Sequence, residues 1–269
     1  MGKIYTVANR KGGCSKTTTV GALASCLTKM GLKVLVVDTD PQGNLTKWSG
    51  LQTDGLDTMR EVLLYECDPN DAIYEIKGRY DLIPADKDLW PVETVLQDAM
   101  DRYTRLREVL AKVKDDYDIV IVDTPPSLGT FTLSAFTACD GGIVLTTDSG
   151  AFATEGMIEL AESLVVVRKT NNPDIDLVGI LLTKFNPRYK QHKVIKETSE
   201  KFSQYFDAPI YNTFIRQGIA VTEAQGDCAD LMGQEFKNTV VYKDYLDFAT
   251  EFAIQQGLIE ELSDKEDQE

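Results

Sequence analysis

The chain has no closely paired cysteines. Its five, Cys14, Cys26, Cys67, Cys139 and Cys228, are scattered and form neither a CxxC pair nor a zinc spacing. An odd, dispersed set excludes a disulfide scaffold and points to reduced thiols in a cytosol. No apolar run approaches the roughly 18 residues that a membrane span needs. The start, MGKIYTVANRKGG, lacks the apolar segment of a secretory signal. No Ser/Gly linker, internal repeat or low-complexity block divides the 269 residues. Positive charge is also scarce: 28 Lys and Arg face 43 Asp and Glu, a net charge of −15. Such a chain is not a default nucleic-acid binder. Part of the acid is local, because Glu260–Glu269 holds six acidic residues against one lysine. These features predict one domain over residues 1–258 and an acidic, solvated tail over 259–269.

The chain does have short β-branched runs. Ile4–Ala8, Val34–Val37, Ile119–Val122, Ile143–Thr146 and Leu177–Leu182 have the length and continuity of strands buried on both faces. Lys16–Met30, Thr104–Lys114 and Glu155–Thr170 read as helices between them, the first stopped by Gly31. Strands alternating with helices predict an α/β fold, a doubly wound and mostly parallel sheet flanked by helices. Ser49–Asp101 is rich in turn signals and carries one short strand at Asp81–Pro84.

Three strand ends carry chemistry. Asn9–Thr19, NRKGGCSKTTT, lies between the first strand and the first helix, where a phosphate loop belongs. It departs from G-x-x-x-x-G-K-[ST], since Arg10 and Ser15 occupy the two glycine positions. Gly12 and Gly13 still allow close backbone approach. Lys16 reaches phosphates, Thr17 offers Mg²⁺ a hydroxyl, and Thr18 adds another. The second strand ends at Asp38 and Asp40, two carboxylates one residue apart at the sheet edge where open α/β sheets bind ligands. The third apolar strand ends at Asp123, a Walker B arrangement that supports Mg²⁺. Thr124–Gly129 follows as a loop placed to sense a γ-phosphate. Together they predict a site for ATP or ADP with Mg²⁺.

With these motifs the chain resembles the ParA/Soj branch of the deviant Walker A P-loop ATPases. The signature KGG-x-x-K-[ST] stands as Lys11-Gly12-Gly13-Cys14-Ser15-Lys16-Thr17. DxDPQGN stands as Asp38–Asn44, and D-x-PPS as Asp123–Ser127. The likeness extends weakly to about residue 255. It implies a weak Mg-dependent ATPase in which Lys11, Lys16 and Asp40 are catalytic. Lys11 would cross a dimer interface to the partner's phosphates, much as an arginine finger does. Lys16 would bind phosphates in its own subunit. Thr17 would ligate the metal, Asp123 would support it through water, Asp40 would position the attacking water, and Asp38 would link the site to the switch loop. Lys11 to Thr18, Asp38, Asp123, Lys184, Phe214 and Arg216 make up the implied nucleotide set.

The same resemblance implies an ATP-sandwich homodimer that binds DNA nonspecifically and answers to a ParB-like adaptor in DNA partition. It would be cytoplasmic and nucleoid-associated. Two residues depart from the family pattern near the lysine. Ser15 often is glycine, and nucleotide binding is expected to survive provided its φ is negative. Cys14 replaces a common valine. A lowered thiol pKa at the helix start is one reading, and a small filler is the preferred one.

Further on, Thr213–Ala224 (TFIRQGIAVTEA) aligns with T-x-I-P-R-N-x-R-x-S-E-A, so Gln217 and Ala220 fall on the two arginine positions. Relatives place this segment beside the adenine and use its basic residues on DNA. Arg216 is the candidate substitute. Lys184–Lys201 has a local charge of +4 and adds Arg188, Lys190 and Lys193 as DNA candidates. Two alternatives keep the ATP site without the DNA step. One is a positioner of non-DNA cargo. The other is a MinD-like membrane ATPase, disfavoured because Asn238–Leu262 is largely acidic rather than basic. A metal-cluster ATPase is disfavoured by the absence of paired cysteines.

Overall fold

A computed structural model describes residues 2–148 and 153–260, without the side chains of Ala153, Lys190 and Gln191. The tail expected over 259–269 therefore falls almost wholly outside the described residues. Seven strands form one sheet: β1 (Lys3–Ala8), β2 (Val34–Asp38), β3 (Tyr74–Ile76), β4 (Tyr80–Ile83), β5 (Ile119–Asp123), β6 (Gly142–Thr147) and β7 (Leu177–Leu182). Their order is β3-β4-β2-β5-β1-β6-β7, and every pairing is parallel except β3 with β4.

The five long apolar runs all became strands because each is buried on both faces. Alternate residues point to opposite sides of the sheet. Val7, Val36, Ile121 and Val144 pack under α1 (Lys16–Lys29), α2 (Asn44–Trp48), α9 (Ala220–Gly226) and α10 (Val240–Gln255). Leu35, Val37, Val120 and Val122 pack against α3 (Met59–Leu64), α4 (Trp90–Gln97), α5 (Arg105–Leu110) and α6 (Thr130–Ala138). Ala8, Leu145, Ile180 and Leu182 pack against α7 (Ala153–Thr170) and α8 (Lys190–Phe206). The doubly wound, mostly parallel sheet is as the sequence predicts.

Two details differ. Thr104–Lys114 is helical only over Arg105–Leu110; beyond it the bonds tighten to Lys112 N–H to Val109 O and Val113 N–H to Leu110 O, which turns Val113 into the core. Ser49–Asp101 holds more order than expected. A capping box at Thr58 and Glu61 starts α3, and the β3–β4 hairpin closes through Gly78 at φ +75°.

β1 lies between β5 and β6, while β2 lies beyond β5. The loop after β1 therefore opens at the carboxyl edge of the sheet, flanked by two further strand ends. Gly21 lets α1 and α2 approach closely: a Cβ there would lie 2.3 Å from the Trp48 ring.

Candidate nucleotide site

The loop from Asn9 to Ser15 is tied down by its first residue. Asn9 is buried, donates from Nδ2 to the Thr146 carbonyl at 2.6 Å, and accepts the Lys11 N–H at 2.9 Å. Helix α7 closes over the outer side, where Arg10 pairs with Glu159. Gly13 then takes φ +78° and Ser15 takes φ +65°. The negative φ anticipated for Ser15 is thus incorrect. Its position requires a left-handed residue to turn successive N–H groups into the cleft, and serine adopts it despite its Cβ. Ser15 is the N-cap of α1 but makes no side-chain cap, so the first-turn N–H groups remain for an anion.

The cleft over this loop is about 760 Å³. It is lined by Gly12, Gly13, Ser15, Lys16, Thr17, Thr18, Asp40, Pro126, Lys184 and Arg216, with α9 and Tyr245 on the far wall. Lys16 is largely buried, and its Nζ donates to the Lys11 carbonyl at 3.3 Å. Lys184, at φ +50°, reaches across to donate to the Gly13 carbonyl at 2.6 Å.

Three carboxylates meet at this edge. Asp38 and Asp123 are paired neighbours in β2 and β5, both fully buried. Asp38 accepts from the Thr46 N–H (3.1 Å), the Thr46 hydroxyl (2.8 Å) and the Asp40 N–H (3.0 Å). Burial nevertheless pushes its carboxyl up to about 7. Asp123 is different. Both its oxygens are buried without a well-formed hydrogen bond, and Thr17 and Lys16 only moderate the effect. Burial first and the charge of Asp38 second push it well above the carboxylate range. Asp40 faces the cleft, with one oxygen accepting from the Gln42 N–H at 2.9 Å.

An orphaned buried carboxylate beside a threonine hydroxyl is an unfinished arrangement. A hard divalent cation with oxygen ligands completes it, so Thr17 and Asp123 fit Mg²⁺.

Lys11 goes elsewhere. Its Nζ meets Asp148 at 2.7 Å, just beyond β6, and it does not line the cleft. Cys14 is buried, its thiol donates to the Lys11 carbonyl, and burial pushes its pKa up. The lowered-pKa reading is overturned, and the small filler stands. Asp38 likewise lies behind the cleft wall rather than on it.

Phe214 is beside the cleft, not in it. It meets Phe185 edge-to-face, with centroids 5.2 Å apart, in an adjoining recess of about 890 Å³ shared with Lys184, Arg188 and Tyr189. Arg216 lines both cavities and forks onto Asp244, with Nε to Oδ2 at 3.0 Å and Nη2 to Oδ1 at 2.5 Å. Arg188 and Lys193 are exposed, whereas Lys190 opens α8 with its side chain outside the described set.

Sequence reasoning missed Asn9, Thr46, Asp148 and Asp244. Asp148 carried a usable signal, being an aspartate directly after an apolar strand like Asp38 and Asp123. Thr46 and Asp244 act through contacts eight and 28 residues away in the chain, which no local pattern marks.

Residues 2–177 match the AAA-domain family. The chain is 37% identical over 228 residues to the sporulation initiation inhibitor protein Soj of Bacillus subtilis, covering 83% of this chain and 88% of that one. It is 33% identical over 226 residues to the chromosome partitioning protein ParA of Myxococcus xanthus, covering 83% and 78%. Among solved structures, cobyrinic acid a,c-diamide synthase of Mycobacterium smegmatis with bound ADP and magnesium superposes with a TM-score of 0.81 at 29% identity, over 96% of each chain.

Proposed function

The chain belongs to the ParA/Soj family of partition ATPases, and on that premise we propose that it is an ATP-driven dimerisation switch acting in DNA partition. Residues 1–258 would act as one unit. One observation carries the proposal: of the two loop lysines, Lys16 serves the cleft of its own subunit and Lys11 does not. A lysine held at the rim by Asp148, its side chain 24% exposed, is placed to leave that pair for a second copy's phosphates.

Bound Mg–ATP supplies the scissile phosphoanhydride and the counter-charge for it. The loop N–H groups and Lys16 bind the phosphates. The Thr17 hydroxyl and the Asp123 carboxylate would hold the metal side of the site. Asp40 would orient the water that attacks the terminal phosphate. Pro126, 3.9 Å from where a Gly12 Cβ would lie, puts the switch loop against the phosphate loop, so a change at either is felt by the other.

DNA binding would follow dimerisation, because two copies double the exposed cations Arg188 and Lys193. A ParB-like adaptor would stimulate hydrolysis and end the bound state. The protein would then be cytoplasmic and nucleoid-associated. A second reading, a positioner of non-DNA cargo, is favoured by Gln217 and Ala220 at the two arginine positions and by the net charge of −15. Neither needs a lipid surface, and α10 spends its apolar face, Val241, Tyr245, Phe248 and Phe252, on the core.

The test is light scattering with Mg–ATP and then DNA titration across salt. A dimer that binds DNA at low salt and loses it steeply with salt supports partition. A dimer without DNA binding supports the second reading. A monomer under saturating ATP refutes the switch.

A further inference from the structure

The far end of the cleft contains a polar contact that the loop motif does not account for. Gln225, in the last turn of α9, donates from Nε2 to the Thr18 hydroxyl at 3.2 Å. Both residues line the cleft, and they are 207 residues apart in the chain. Thr18 is nearly buried. Its hydroxyl therefore accepts one bond from Gln225, and among the described residues no protein group takes its proton. Nor does any donate to Oε1 of Gln225. A hydroxyl whose acceptor side is filled is left as a donor, which suits an anionic phosphate oxygen. Gln225 is exposed, and its amide keeps Oε1 as an acceptor and one N–H of Nε2 as a donor; the oxygen suits a hydroxyl.

We propose that Gln225 is the sugar-selecting residue of the site, its Oε1 accepting from a ribose hydroxyl while its Nε2 fixes Thr18 as a phosphate donor. The proposal rests on the ATP-binding reading of the cleft. With its terminal phosphates at Lys16 and Thr17, a nucleotide laid along the cleft would carry its sugar past Thr18 and Gln225, which line the cleft together with the apolar Ile215 and Val221. The amide faces the sugar, so the choice it makes is between ribose and deoxyribose.

The experiment compares ATP, 2′-deoxyATP, 3′-deoxyATP and GTP by competition for the full chain, in wild type, Gln225→Leu and Gln225→Glu. Wild type should bind ATP about three- to tenfold more tightly than one of the two deoxy nucleotides, the range expected for one hydrogen bond. Gln225→Leu should bring that ratio to about one. Gln225→Glu keeps an acceptor but turns the Thr18 proton away from the phosphates. It should preserve the ratio while weakening every triphosphate. A ratio unchanged in Gln225→Leu overturns the proposal and leaves the ATP site intact. A change in the ATP-to-GTP ratio alone also overturns it, because the amide then faces the base. A wild type that binds none of the four removes the ATP reading itself.

Discussion

Replacing Asp123 by asparagine should stabilise the ligand-free protein above neutral pH while abolishing the benefit of Mg²⁺. The side chain is fully buried, both its oxygens lack a proper donor, and the adjacent strand holds Asp38 beside it. Burial and that neighbour raise its pKa in the folded state above the unfolded value. A raised carboxyl contributes stability that is fully present below the unfolded pKa and is lost as pH climbs through the folded one. Asp38 gives the scale. Its carboxyl moves from 3.8 to about 7 despite three hydrogen bonds, which at 1.36 kcal/mol per unit is on the order of 4 kcal/mol. Asp123 is raised by the same burial and by Asp38 itself, so Asp123→Asn should gain stability at pH 8 and close to nothing at pH 4. Urea unfolding of both proteins at pH 4, 6 and 8 reads this directly. Mg–ATP should raise the stability of wild type, because the carboxylate of Asp123 gains a cation to pair with, and should do little for the variant. An asparagine variant that is less stable at all three pH values would refute the idea that Asp123 is held ready for a cation.

Four further outcomes follow from the same geometry. Lys11→Ala should retain ATP binding but lose the ATP-dependent mass increase in light scattering and most turnover, whereas Lys16→Ala should lose nucleotide binding in a filter or fluorescence assay. Ser15→Gly should leave stability unchanged or raise it by up to about 1 kcal/mol, and Ser15→Val should lower it by about 1–2 kcal/mol, because only the first relieves a left-handed backbone; thermal unfolding gives both signs. Gly21→Ala should cost about 1–3 kcal/mol in urea unfolding, since its methyl meets Trp48, which is anchored by its own indole N–H on the Ala229 carbonyl at 2.8 Å. A thiol reagent should label exposed Cys228 quickly and be blocked there by nucleotide, since Cys228 lines the cleft, while buried Cys26 and Cys139, both pushed up to about 12, should react slowly.

How much of this was legible in the sequence depends on how local each cause is. Strands buried on both faces declare themselves as β-branched runs, so the five long strands were readable to within a residue or two. The ends of those strands were readable for the same reason, and they carry Asp38, Asp123 and the loop. Of the β3–β4 hairpin, β4 was readable as the short strand at Asp81–Pro84, but β3 was not, because three residues with mixed burial leave no run to see. The shortened α5 was misread because its apolar period continues while its hydrogen bonds tighten from four residues to three.

Position along the chain also hid the direction in which residues act. Lys11 and Lys16 are five residues apart and chemically identical, and it was the family resemblance, not the local pattern, that assigned them opposite directions. Their directions are decided by Asn9, which ties the loop to Thr146, and by Asp148, 137 residues on, which holds Lys11 at the rim. On the proposed dimerisation, the Lys11–Asp148 pair would have two roles that pull against each other. It would shield a cation in the monomer, and it would have to break for that cation to serve a second copy. Its attraction would then set a threshold on assembly. Asp148→Asn should lower that threshold, so that the dimer forms at lower ATP in the same light-scattering titration. It should leave Lys16-dependent ATP affinity of the monomer unchanged. If the variant needed more ATP to dimerise, Asp148 would be helping Lys11 reach its target rather than restraining it, and the restraint argued from the 2.7 Å contact would be wrong.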